Sequence, residues 1–106
     1  MSHTHNFKSW TFKESVNTGT FTTKPVLNGS YPILDVYHGN DGDWQFLCGT
    51  TLEFDDLVLA CLGCMVEKDM TLLELSDLPK SWRAFRANQS EPWQREYFEE
   101  DEETEA

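Results

Sequence analysis

Ile33-Leu34-Asp35-Val36-Tyr37-His38, then Gly39-Asn40-Asp41-Gly42-Asp43, then Trp44-Gln45-Phe46-Leu47-Cys48: these sixteen residues decide the reading of the fold. The first run is apolar with β-branched and aromatic members. The middle five residues are turn formers, and the last run is again apolar and aromatic. Two such runs joined by a Gly/Asn/Asp loop predict a β-hairpin. Alternation puts Leu34, Val36 and His38 on one face of the first strand. Trp44, Phe46 and Cys48 share a face of the second, and Gln45 points away.

Working towards the N-terminus, Asn28-Gly29-Ser30 is a turn signal that ends the short apolar stretch Pro25-Val26-Leu27. Asn17 to Lys24 is rich in Thr and Gly and reads as a loop or a twisted edge strand. Phe7 to Phe12 carries aromatics at 7, 10 and 12 and reads as a strand with imperfect alternation. Towards the C-terminus, Leu57 to Val66 is ten consecutive apolar residues, counting Gly63. Periodicity cannot separate a buried strand from a buried helix there. Asp55 and Asp56 suit a helix start, but Gly63 would cost a helix about 1 kcal/mol. The reading adopted is a central strand buried on both faces and bulged at Gly63. Thr71-Leu72-Leu73-Glu74 has the form of a capping box, which predicts a short helix from Leu72 to about Leu78, stopped by Pro79. Lys80-Ser81 makes a turn, Trp82 to Ala87 reads as a final strand, and Glu91-Pro92 breaks it. Trp93 to Phe98 is an aromatic closing segment. The sum is a small α+β domain over residues 1–98: a mostly antiparallel sheet with one or two short helices.

The chain has 106 residues, which suits one domain and a single modest core. Nineteen acids against eight bases give a net charge of −11. Six of those acids fall in residues 99–106, which therefore read as a disordered acidic tail. The remaining 13 acids and eight bases leave residues 1–98 at −5. An acidic body repels phosphates, so nucleic acid and anionic membrane surfaces are not expected partners. No apolar run approaches the ~20 residues of a membrane span. Met1 to Lys8 is polar with no apolar run behind it, so no secretory signal is expected. Three cysteines do not make a secreted disulfide framework, and the expected location is cytoplasmic.

Three constellations carry potential chemistry. Cys61-Leu62-Gly63-Cys64 is a C-x-x-C, a spacing that can hold zinc or cycle as a dithiol. Cys48 and His38 would complete a Cys3His zinc site. On an extended strand, however, residues 61 and 64 point to opposite faces, so the expectation is that both are small core residues. His38 with Asp41 or Asp43 is a minimal general-base pair at the hairpin tip. No nucleophile motif accompanies it, and turn geometry explains the same residues. The loop also lacks calcium-loop spacing. Trp44 and Trp82 read as core anchors, and Trp93 as an exposed one. Arg83, Arg86 and Arg95 are expected to pair with Glu91, Glu96 or the tail, each pair contributing about 0–1 kcal/mol. No catalytic residue and no cofactor is expected.

Asp41-Gly42-Asp43-Trp44-Gln45-Phe46-Leu47-Cys48-Gly49, then Leu59 to Met65, then Leu72 to Arg86 together resemble a group of small bacterial proteins of unknown function. These have a D-G-x-W-x-F-x-x-G stretch, an apolar strand and an L-x-D-L-P segment. Some such families are grouped with immunity proteins of bacterial toxin systems. The resemblance covers about half of the chain and contains no catalytic motif. It implies a stand-alone cytosolic α+β domain that binds and neutralises a toxin. The expected function is thus non-catalytic protein binding, with a basic partner favoured by charge. The expected contact residues are Trp93, Tyr97, Phe98, Asp41 and Asp43. The alternative is a zinc or thiol-redox protein built on Cys61 and Cys64. Homodimerisation stays open.

Overall fold

The computed structural model describes residues 7, 9–48 and 57–98. Its elements in chain order are β1 (Gly19–Thr23), α1 (Lys24–Leu27), β2 (Asp35–His38), β3 (Trp44–Leu47), β4 (Leu57–Cys61), α2 (Leu62–Lys68), a 3₁₀ helix (Met70–Leu75), β5 (Trp82–Phe85) and β6 (Gln94–Tyr97). The six strands form one open sheet in the order β4-β1-β3-β2-β5-β6. Every pairing is antiparallel except β1 with β3. The architecture is the small, mostly antiparallel α+β sheet expected from the sequence.

The hairpin forms as read. Val36 lies opposite Phe46 and His38 opposite Trp44. The tip is closed by the Gly39 N–H donating to the Asp43 carbonyl at 2.9 Å. Asp41 adds an Asx turn, its Oδ1 accepting from the Asp43 N–H at 3.0 Å. Gly42 sits at φ +94°, where an L side chain is strained.

The core lies on one face of the sheet. Val36, Trp44, Phe46 and Ala84 supply its floor, and α2 covers them with Leu62, Met65 and Val66. The 3₁₀ helix adds Leu72 and Leu75, and Phe12 packs edge-on against Trp44 with ring centroids 5.2 Å apart.

Several expectations are corrected. Among the described residues of Phe7 to Phe12 there is no strand, although Phe7, Trp10 and Phe12 all pack on the core. Their rings also contact one another, Phe7 to Trp10 at 4.9 Å and Trp10 to Phe12 at 5.5 Å between centroids. The Thr-rich segment is neither loop nor edge: β1 is central, between β4 and β3. Thr20 and Thr22 are fully buried there because their hydroxyls donate to the carbonyls of Ala60 (2.8 Å) and Phe46 (2.7 Å). A satisfied hydroxyl removes most of the cost of burying it.

The run 57–66 is not a doubly buried central strand. It is an edge strand that becomes a helix at Leu62. The first N–H groups of a helix need acceptors from outside it. Those of Leu62 and Gly63 find the carbonyls of Thr18 (2.8 Å) and Val16 (2.9 Å). The next helical segment is capped by Asp69, not Thr71. Asp69 Oδ1 accepts from the Thr71 N–H at 3.0 Å and from its hydroxyl at 2.6 Å. That segment is a 3₁₀ helix starting at Met70. Finally, β5 is followed by a sixth strand over Gln94–Tyr97, so the closing segment joins the sheet. The predicted acidic tail, 99–106, lies outside the described residues.

Candidate functional site

The face of the sheet opposite the core carries Leu57 and Leu59 from β4, Phe21 from β1 and Leu47 from β3. The register continues it through Tyr37 of β2 and Phe85 of β5. The described helices all pack on the other side, and Leu59 is 69% exposed. Half-buried apolar side chains therefore run across most of the sheet's width. A solvated face of an antiparallel sheet is ordinarily polar by alternation.

Charge on this face is concentrated at Arg83. It pairs with Asp35 at 3.1 Å and with Glu96 across the β5–β6 ladder. Its guanidinium lies 4.4 Å from the Phe85 ring centre and 5.5 Å from that of Tyr37. Burial pushes the Asp35 carboxyl above the usual carboxylate range, against the pull of Arg83. Burial, reinforced by the Asp35 charge, likewise raises the Tyr37 phenol.

The expected contact residues are only partly gathered. Asp41 and Asp43 are exposed at the hairpin tip. His38 lies opposite Trp82, and Trp82 opposite Tyr97, so the tip, Tyr97 and Phe98 occupy one end of the sheet. Tyr97 is 60% exposed, while Phe98 packs edge-on against Tyr37. Trp93 lies at the opposite end of β6 and is not an exposed anchor. Its indole N–H donates to the Thr71 hydroxyl at 3.1 Å, and Arg86 stacks on its ring at 4.0 Å. Trp44 is a core residue as expected, and Trp82 is half-buried.

The arginines diverge in role. Arg83 pairs with Glu96 as expected, but Arg86 turns inward to Asp69 and the Ile33 carbonyl, and Arg95 reaches Asp77 at 2.9 Å. Arg86 is buried because it directly follows β5, its N–H donating to the Leu34 carbonyl at 3.1 Å, and so keeps the alternation that turns Ala84 towards the core.

Cys61 and Cys64 meet. The strand ends at Cys61, which caps α2, and one helical turn returns Cys64 to it. The sulfurs are 2.7 Å apart, and the Cys64 N–H donates to Cys61 Sγ at 3.2 Å. Both side chains are half-buried, so neither is a fully enclosed core residue. Burial, then the hydrogen bond and negative charge of Cys61, push the Cys64 thiol up to about 11.

The other members of the imagined zinc site lie elsewhere. Cys61 is level with Gly19, whereas Cys48 lies two residues beyond the Phe46–Thr22 pair, roughly 16 Å along the strands. His38 is three strands from β4, roughly 14 Å away. Among the described residues, no three or more His, Cys, Asp or Glu side chains gather as metal ligands. His38 does not meet Asp41 or Asp43 either. It is buried, stacked on Trp44 at 3.9 Å, with Nδ1 2.7 Å from the Leu78 carbonyl. A shallow cleft of about 660 Å³ beside it is lined by Thr11, Lys13, Glu14 and Ser76–Lys80.

A scan against protein-family models finds no match, and neither do comparisons with curated proteins and with solved structures. No described helix is long and apolar enough to cross a membrane. The residues of the uncovered face were missed in the sequence for two reasons. The Thr-rich β1 hid the alternation around Phe21, and the unbroken apolar run hid which side of β4 is exposed. Period-two spacing at Leu57 and Leu59 was the available signal.

Proposed function

We propose that this chain is a non-catalytic protein-binding domain that docks through the uncovered face of its sheet. One observation carries the reading: apolar side chains from five neighbouring strands share a face that no described helix covers. Contiguous exposed apolar surface on a soluble domain marks an interaction site more often than it marks anything else. Acids frame this surface, with Asp35 and Glu96 on it and Asp41 and Asp43 at the hairpin tip, which favours a basic partner. The face's described cation, Arg83, is already engaged by two of those acids. The resemblance to immunity-type proteins implies a toxin as the partner, and the acidic charge favours a basic one, such as a toxin that itself handles nucleic acid. A cytoplasmic setting belongs to the same reading.

The test is native mass spectrometry of the co-purified complex, followed by affinity measurement. Leu59→Glu places a charge at the β4 end of the apolar strip, on its most exposed member, and should weaken binding at least about tenfold, as at an interface anchor. Met70→Glu, at an exposed apolar residue on the helical side, should leave binding unchanged. Affinity should fall with added salt, since Asp41, Asp43 and Glu96 are solvent-exposed. Equal loss from both variants, or from Met70→Glu alone, would move the docking surface to the helices. A dimer that Leu59→Glu dissolves would make the partner a second copy.

A further inference from the structure

We propose that Cys61 and Cys64 are a reversible dithiol–disulfide pair, oxidised by a low-molecular-weight disulfide such as oxidised glutathione and reduced again by thiols. The geometry points to it. The two sulfurs already touch at 2.7 Å, closer than two unbonded sulfurs pack. A disulfide bond is about 2.05 Å long, so closure needs a movement of roughly 0.7 Å. The strand-to-helix junction holds both cysteines on rigid elements, so little chain entropy is lost when the bond forms. Both are half-buried, which leaves a path for a small reagent. Cys48, by contrast, is buried and lies well away along the sheet.

The two sulfurs take different roles. Cys61 is the attacking sulfur, because it caps α2 and accepts the Cys64 N–H at 3.2 Å, a donor that favours negative charge on it. The Cys61 thiolate attacks one sulfur of glutathione disulfide and expels a glutathione thiolate. That leaves a mixed disulfide on Cys61. Cys64 then gives up its proton and attacks the Cys61 sulfur, expelling the second glutathione. The pair loses two electrons and two protons, and the glutathione disulfide takes them up as two thiols. Thiol–disulfide exchange proceeds through this mixed intermediate in general.

The experiment incubates the full chain in glutathione redox buffers at pH 7.5 to 8, quenches with an alkylating agent and measures intact mass and peptides. The expected result is loss of two hydrogens, mapped to a Cys61–Cys64 link, reversed by dithiothreitol, with Cys48 still alkylated. In Cys64→Ser, which keeps a small polar side chain, the mixed disulfide should persist on Cys61 at least tenfold longer than in the parent chain. In Cys48→Ser, oxidation should be unchanged. Three alkylated cysteines at every glutathione ratio would overturn the proposal, and so would a link that includes Cys48. A mixed disulfide equally long-lived in the parent chain and in Cys64→Ser would overturn it too. The parent chain alone supplies the first two readouts, so they hold whether or not a variant folds.

Discussion

Asp69→Asn should be among the most damaging isosteric substitutions in this protein. Arg86 is 2% exposed at its side chain and Asp69 is 10% exposed, and the two form an ion pair beneath Trp93. The Arg86 guanidinium also donates to the Ile33 carbonyl at 2.8 Å and to the Thr71 hydroxyl at 3.3 Å. Asparagine keeps an oxygen to cap the 3₁₀ helix, so the Thr71 N–H loses nothing. What goes is the one negative charge paired with a buried cation. Removing one partner of such a pair costs about 3–5 kcal/mol, because the other charge stays buried without compensation. That is a large share of the roughly 5–15 kcal/mol that holds a domain of this size. With each kcal/mol worth about 4–8 °C, the melting temperature should fall by at least about 12 °C. Urea unfolding followed by circular dichroism at pH 7 measures the loss. Arg86→Met should also be costly, but the double variant should cost less than the sum, since neither charge is then left alone. A cost below about 1 kcal/mol for Asp69→Asn, or strictly additive single variants, would falsify the argument.

Three further outcomes follow from the same structure. Asp35→Asn should change stability by less than about 1 kcal/mol at pH 7, because burial already disfavours its charged form. Its carboxyl is raised in the folded state above 3.8, so its contribution is full below about pH 3.8 and is lost as pH rises. The stability advantage of the parent over Asp35→Asn must therefore shrink with rising pH, and a growing advantage would contradict it. In the reduced chain, cysteine ¹³Cβ shifts should show the later step of the Cys61–Cys64 titration near 11, and all thiols titrating together near the ordinary 9.0 would refute the coupling. Gly42→Ala should cost about 1 kcal/mol or more in urea unfolding, since Gly42 sits at φ +94°, and a neutral result would mean that the turn adapts.

Much of the fold was legible because local chemistry and tertiary demand agreed. Between Ile33 and Cys48, alternation and turn residues point to the same hairpin that the core needs, and its inward face, Val36, His38, Trp44 and Phe46, is the buried one. The site was less legible. Trp93 looked exposed from its polar neighbours, but Thr71 and Arg86, distant in sequence, enclose it. Arg86 looked like a surface cation until Asp69 and a carbonyl satisfied it inside.

By itself, the sequence determined the central hairpin, its turn and the overall acidity. Each of these rests on side-chain chemistry read over a few residues. Only the tertiary structure decided where β4 ends and α2 begins, because the acceptors for the first helical N–H groups are the carbonyls of Val16 and Thr18, more than forty residues away in the chain. That single decision turned Cys61 and Cys64 from opposite faces of a strand to sulfurs in contact. Strand order was equally a tertiary matter. With β4 at one edge and β1 inside, Phe21, Leu57 and Leu59 form a continuous apolar face, since strand neighbours, not sequence neighbours, determine which side chains share a surface.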